Sequence, residues 1–262
     1  MKAYQVLIFD LFDTLLRFDR QRLPLAQVDG KEVRTTSLKA YEVVSEAYGR
    51  TCPELCRRIS FPDFYRAFVF SFEEAARRRS RDFREVPAEE RFRILFERLG
   101  IKLIPSTSDL LERAILAHME ALAHAMAFPP ENQKVLEWAR EKYRLGLVSN
   151  FDHHPTAYRI LEDYGIKGFF DEIVISSEVG FRKPGREIFQ IAFDRLGIGP
   201  ELALFVGDSF EIDVVGAKGV GMDVVWLNQD GKAAQAQGLP QPDFTIANLE
   251  ELMRLWNGTS SS

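Results

Sequence analysis

The 262-residue chain predicts an α/β fold: a doubly wound parallel sheet core with an inserted α-helical cap domain. Three observations lead there. Five short apolar runs read as strands, and the last four each follow a segment of helical periodicity. The stretch between the first and second runs reads as helices alone. Polar residues stand at the ends of the runs, where an open α/β sheet binds its ligands.

The first run is residues 5–9 (QVLIF), with the unbroken apolar character of a parallel strand buried on both faces. The others are Leu145–Ser149, Glu172–Ile175, Leu202–Val206 and Asp223–Leu227. Among the intervening helical segments are Glu131–Tyr143, Arg186–Leu196 and Ile212–Val220. Strands alternating with helices imply βα units. Right-handed crossovers then bring every strand C-terminus to one edge. Between runs one and two, helices are expected over Thr36–Tyr48, Pro62–Arg79, Pro87–Leu99 and Ser106–Ala127, with no convincing strand series. Pro62, Pro87 and Ser106 (with Asp109 three residues on) are start signals, and Gly49 and Gly100 are stop signals. Phe128-Pro129-Pro130 breaks the chain before the sheet resumes. The expected division is a core of residues 1–17 and 128–262 with a helical cap of residues 18–127. An insert at that point would lie over the ligand-binding edge.

Composition sets the outer limits. Hydrophobic residues make up 46% and charged residues 28%, a balance that supports a packed core. The net charge of −5 argues against general nucleic-acid binding. No apolar run approaches the roughly 18 residues of a membrane span. Asp10 and Asp13 interrupt the apolar N-terminal run, unlike a secretory segment, so a cytoplasmic protein is expected. Cys52 and Cys56 would share a helix face, but no third cysteine or nearby histidine completes a metal site, so they read as free thiols.

The strand ends carry the chemistry. Run one leads into Asp10-Leu11-Phe12-Asp13-Thr14, and run two ends at Ser149-Asn150. Run three precedes the loop Gly180-Phe181-Arg182-Lys183-Pro184. Run four leads into Gly207-Asp208-Ser209, with Asp213 five residues after Asp208. Clustered carboxylates repel one another unless a cation neutralises them. Hard oxygen ligands suit Mg²⁺, which takes few protein carboxylates and keeps room for phosphate oxygens. A lysine and a hydroxyl suit a phosphoryl group. A carboxylate aimed at phosphorus can form an acyl-phosphate. These residues point to Mg²⁺-assisted phosphoryl transfer to Asp10.

The run Phe9-Asp10-Leu11-Phe12-Asp13-Thr14-Leu15, then Val148-Ser149-Asn150, Lys183-Pro184 and Gly207-Asp208-Ser209 with Asp213, resembles the haloacid dehalogenase-like hydrolases. The resemblance covers nearly the whole core. It is nearest to a helical-cap branch of dehalogenase-domain-containing proteins that includes the animal rhythmically expressed homologues. It implies that Asp10 is nucleophile and metal ligand, with the Phe12 main-chain carbonyl, Asp208 and Asp213 also at the metal. Asp213 would hold either a metal-bound water or the lysine. Ser149 and Asn150 would meet the substrate, Lys183 would stabilise charge, and Thr14 would shape the turn after the nucleophile. The implied protein is a Mg²⁺-dependent monomer or homodimer acting on a small phosphorylated metabolite, with neither nucleic acid nor membrane as partner.

One position departs from the pattern. Phosphatases of that family carry a second Asp two residues after the nucleophile, where this chain has Phe12. Losing a positioned general acid costs about 10²–10⁴-fold in rate. Asp13 is adjacent, at a position expected to point elsewhere. Other readings stay open: a weak phosphatase whose substrate has a good leaving group, a 2-haloacid dehalogenase, or a non-catalytic ligand-binding protein. A phosphonoacetaldehyde hydrolase would need a cap lysine, and Lys31, Lys39 and Lys102 sit in no convincing motif.

Several other features read as structural. Phe61, Phe64, Phe68 and Phe72 recur at the spacing of one packed helix face. Arg77, Arg78, Arg79 and Arg81 follow Glu73 and Glu74 at helical pairing distances. His153 and His154 would begin the next helix, capped by Asp152. His118 and His124 are six apart and do not align as ligands.

Overall fold

The computed structural model describes residues 3–51, 59–102, 109–231 and 238–257. In chain order the elements begin with β1 (Val6–Phe9), β2 (Arg17–Phe18), β3 (Leu25–Val28) and β4 (Lys31–Arg34). Four helices follow: α1 (Ser37–Thr51), α2 (Phe61–Asp82), α3 (Ala88–Arg98) and α4 (Leu110–His124). Then come β5 (Met126–Ala127), α5 (Pro130–Arg140), β6 (Arg144–Ser149), α6 (His154–Asp163), β7 (Glu172–Ile175), α7 (Ser176–Val179) and α8 (Arg186–Leu196). The chain finishes with β8 (Ala203–Gly207), α9 (Val215–Gly219), β9 (Asp223–Leu227), β10 (Phe244–Ile246) and α10 (Glu250–Asn257). Two compact units result, residues 1–18 with 127–262, and residues 19–126.

The first unit is built on a six-stranded sheet in the order β10-β9-β8-β1-β6-β7, with every neighbouring pair parallel. β1 lies at its centre, between β6 and β8, and all four of its side chains are buried. That explains its unbroken apolar sequence: a central parallel strand has no solvent face. α8 buries Ile188, Phe189, Ala192, Phe193 and Leu196 along one face, and these pack with Val6, Ile8, Val148 and Phe205 from the sheet. Its C-terminus closes at Gly197, whose φ of +64° is the left-handed conformation that glycine adopts without penalty. β10 is an edge strand that the apolar runs did not foretell. It has three residues with the exposed Thr245 between Phe244 and Ile246.

The second unit holds α1 to α4 and the antiparallel β3–β4 pair. This hairpin corrects the expectation of helices alone. Asp29 and Gly30 both have positive φ, 51° and 77°, the conformation of a tight turn whose twist matches the flanking strands. α2 starts where the Ser60 hydroxyl accepts from the Asp63 amide, with Pro62 in its first turn. Phe64 and Phe68 are buried, whereas Phe72 is 38% exposed and so is not part of a uniform core face. α3 ends at Arg98, followed by Gly100 at φ +67°. Gly49 does not stop α1, which continues to Thr51, because one glycine inside a helix costs only about 1 kcal/mol. Cys52, Cys56 and Ser106 lie outside the described residues. No helix among the described residues is long and apolar enough to cross a membrane.

Candidate active site

The strand order reverses direction at β1: the chain passes from β1 to β6 and β7 on one side, then to β8 and β9 on the other. Connections leaving in opposite directions open a crevice beyond the strand ends. Asp10 follows β1 into that crevice, its amide donating to the Val206 carbonyl at 2.9 Å. Ser149 ends β6, and Asp208 follows β8.

The side chains converge there. The Lys183 ammonium donates to Asp10 Oδ1 at 2.7 Å and lies 2.8 Å from Asp213 Oδ1. Lys183 is 1% exposed and sits 4.9 Å from the centre of the Phe205 ring. Oxygen atoms of Asp10, Asp208 and Asp213 all fall within 4.8 Å of one another, so these three could hold a metal ion together. Asp213 thus takes the lysine contact, one of the two roles expected for it.

Supporting contacts fix these groups. The Asn150 amide is used at both ends by the Lys183 backbone: Nδ2 donates to the carbonyl at 2.8 Å, and Oδ1 accepts from the amide at 2.8 Å. Both ends of the Asn150 side-chain amide thus serve to place the lysine. Thr14 likewise directs its hydroxyl to Asp208 Oδ1 at 3.2 Å. The Trp226 indole donates to the Asp208 carbonyl at 2.9 Å. Asp213 Oδ2 accepts from the Ser209 amide at 3.0 Å, within the one-turn π-helical segment Phe210–Val214. Gly207 is required by this packing, since a Cβ there would stand 2.5 Å from Asp213 Cγ. The Ser149 hydroxyl is fully buried and has no hydrogen-bond partner among the described residues.

The electrostatics follow from burial. Desolvation raises the Asp10 carboxyl from 3.8 to about 6; Lys183 opposes the rise, and Asp213 adds to it. Desolvation, then the charges of Asp10, Asp213 and Asp13, raises Asp208 to about 7. Burial works against the charge on Lys183, but Asp10 and Asp213 outweigh it and hold the ammonium above its ordinary range.

The surroundings hold one contact with no signal in the sequence. The Phe12 ring stacks on Phe151, with centroids 4.7 Å apart and planes at 33°. Phe151 is held by its backbone, its amide donating to Ser176 Oγ at 2.9 Å and its carbonyl accepting from the Ser177 amide at 3.2 Å. Asp13, at φ +60°, turns its carboxylate to the Phe18 amide at 3.2 Å. His153, rather than Asp152, occupies the cap position of α6, with Nδ1 2.8 Å from Thr156 Oγ1, and burial lowers its pKa.

In the second unit Arg77, Arg78 and Arg79 of the arginine run are paired. Arg77 and Arg78 both reach Glu74, rather than one glutamate each, and Arg79 holds Glu85 at 2.6 Å. His118 is buried between Thr36 Oγ1 at 2.7 Å and Arg91 Nη2 at 3.1 Å. Arg91 lies 3.8 Å from the Phe72 ring centre, a cation–π contact that accounts for the aromatic at that half-open position.

Residues 4–221 match the family described as haloacid dehalogenase-like hydrolase. The Bacillus subtilis protein YfnB, named as a HAD-hydrolase, is 28% identical over 269 residues, covering 98% of this chain and 97% of that protein. A glyceraldehyde 3-phosphate phosphatase of Methanothermobacter thermautotrophicus is 30% identical over 141 residues, covering 54% of this chain and 62% of its own length. Among solved structures, a HAD phosphatase from Thermococcus onnurineus is 26% identical with a TM-score of 0.62, covering 98% of this chain and 99% of that one. The family match takes in every residue of the crevice from Asp10 to Asp213, and the chain belongs to the haloacid dehalogenase-like hydrolases.

Proposed function

We propose that the protein is a Mg²⁺-dependent phosphatase of a small phosphorylated metabolite, working through an aspartyl-phosphate on Asp10. The observation that carries this reading is a charge count. Asp10, Asp208 and Asp213 bring three carboxylates within 4.8 Å of one another, and Lys183 is the ammonium that reaches two of them. Two negative charges are left over in a buried site, which a divalent cation would balance. Burial first, and neighbouring carboxylates after it, raise the pKa values of Asp10 and Asp208 in this site.

Asp10, Asp208, Asp213 and the Phe12 main-chain carbonyl would hold the ion. When bound, Mg²⁺ would neutralise phosphoryl oxygens and lower the repulsion met by an attacking carboxylate. Lys183 fixes the orientation of the Asp10 carboxylate through Oδ1. The unpartnered Ser149 hydroxyl donates to a phosphoryl oxygen; a buried hydroxyl without a partner costs about 1–3 kcal/mol, which a ligand oxygen would recover. Asn150 and Thr14 act as positioning residues through Lys183 and Asp208. The relative named as a glyceraldehyde 3-phosphate phosphatase supports the phosphomonoester class. A cytoplasmic monomer or homodimer fits such a substrate.

A phosphomonoester panel with wild type, Asp10→Asn and chelator tests this. Turnover that both Asp10→Asn and chelator abolish is expected. Turnover of 2-haloacids that chelator leaves intact would replace the reading with a dehalogenase, in which the apolar Phe12 suits a halide that departs unprotonated. Tight Mg²⁺ and phosphate binding with no turnover of either class would replace it with a binding protein.

A further inference from the structure

We infer that this site takes phosphates whose leaving group departs without protonation: aryl, enol or acyl phosphates, or phosphoanhydrides. The inference rests on the phosphatase reading of Asp10 and narrows it.

A phosphoryl group transferred in line leaves Asp10 on one side and its old oxygen on the other. A strongly basic leaving oxygen needs a proton from a positioned acid. In extended chain leaving a strand, residues two apart face the same way, so position 12 is where the chain following β1 presents its next side chain beside Asp10. That side chain is a phenyl ring, and it stacks on Phe151 at 4.7 Å. The pair is fixed: Phe151 is tied through its amide to Ser176 Oγ and through its carbonyl to the Ser177 amide. The wall is therefore apolar and cannot transfer a proton.

Asp13, Asp208 and Asp213 each have another partner. Asp13 turns to the Phe18 amide, and its carbonyl accepts from Gln229 Nε2 at 2.9 Å, so the turn is held from both sides. Asp208 and Asp213 face Asp10 itself and belong to the ion. Lys183 is bound between Asp10 and Asp213.

The step balances without a protein acid. A carboxylate oxygen of Asp10 forms a bond to phosphorus as the bond from phosphorus to the leaving oxygen breaks. The electron pair departs with that oxygen, which takes a proton later from water. Water then attacks phosphorus, the bond to Asp10 breaks, the carboxylate is restored and the proton goes to solvent. Rates through such a path fall as the leaving oxygen becomes more basic.

The test is a series of substituted phenyl phosphates alongside an alkyl phosphate, with Mg²⁺, for wild type, Phe12→Leu and Phe12→Asp. In wild type, kcat/KM should rise steeply with the acidity of the leaving phenol, and the alkyl phosphate should lag the most acidic phenyl phosphate by at least about 10²-fold. Phe12→Leu should keep the slope, and Phe12→Asp should flatten it and gain most on the alkyl substrate. The wild-type slope stands by itself if Phe12→Asp fails to fold. A flat wild-type series, with alkyl and phenyl phosphates turned over alike and Asp10→Asn inactive, overturns the leaving-group inference while leaving the phosphatase intact. Absence of turnover across the whole series overturns the phosphatase reading, and this inference with it.

Discussion

Removing divalent cations should make this protein less stable as pH rises, a direction opposite to ordinary acid denaturation. Asp10 held at about 6 rather than 3.8 corresponds to about 3 kcal/mol, and Asp208 at about 7 to about 4 kcal/mol. Burial is the first cause of both shifts and the charge of Asp10 adds to that of Asp208, so the two are not summed, and about 4 kcal/mol, the larger, is the expected effect. Between pH 3.8 and about 7 the unfolded chain has lost these protons and the folded chain still binds them. Folded pKa values above unfolded ones mean that stability falls with rising pH across that window. Magnesium should reverse the loss where the carboxyls are ionised. The assay is thermal melting of wild type and Asp208→Asn, in chelator and in saturating Mg²⁺, at about pH 5 and about pH 8. In wild type, Mg²⁺ should raise Tm at the higher pH by about 8–16 °C, at roughly 2–4 °C per kcal/mol, and have little effect at the lower. Asp208→Asn should lose most of the difference. A Mg²⁺ shift as large at pH 5 as at pH 8, or none at either, would refute the charge account of the site.

Three substitutions probe the supporting contacts. Gly207→Ala places a methyl 2.5 Å from Asp213 Cγ, so it should displace that carboxylate, cost about 1–3 kcal/mol in melting experiments and weaken Mg²⁺ binding by titration calorimetry. Asn150→Ala removes both bonds to the Lys183 backbone; it should lower kcat by tenfold or more with KM little changed, because it misplaces the lysine and leaves the groups that bind substrate in position. Thr14→Val removes the hydroxyl on Asp208 and should weaken Mg²⁺ about tenfold, the lower end of the effect of a group that orients a metal ligand.

What the sequence could reveal follows from how each element is stabilised. β1, β6, β8 and β9 are buried on both faces, and that condition writes itself into sequence as an unbroken apolar run. The amphipathic α8 was legible over its full length, since one face packs on the sheet and the other meets water. The β3–β4 hairpin was missed because its strands are only partly buried and carry little apolar pattern. The Asp29-Gly30 turn was the available signal. β10 is too short to show alternation.

The convergence of Asp10, Lys183, Asp208 and Asp213 was legible because parallel strands must share a ligand-binding edge. The supporting contacts were not. Asn150 holds a backbone 33 positions away, and Thr14 holds an aspartate 194 positions away. The stack of Phe12 on Phe151 likewise depends on two loops from different strands. Such contacts are tertiary, with no periodicity or spacing to announce them.

The most direct measurement is mass spectrometry of the protein quenched in acid during turnover of an acyl or nitrophenyl phosphate. Nucleophilic attack by Asp10 predicts a phosphoryl adduct on the peptide that carries it, absent in Asp10→Asn and in chelator. Turnover undiminished in Asp10→Asn, or an adduct on any other side chain, would contradict it.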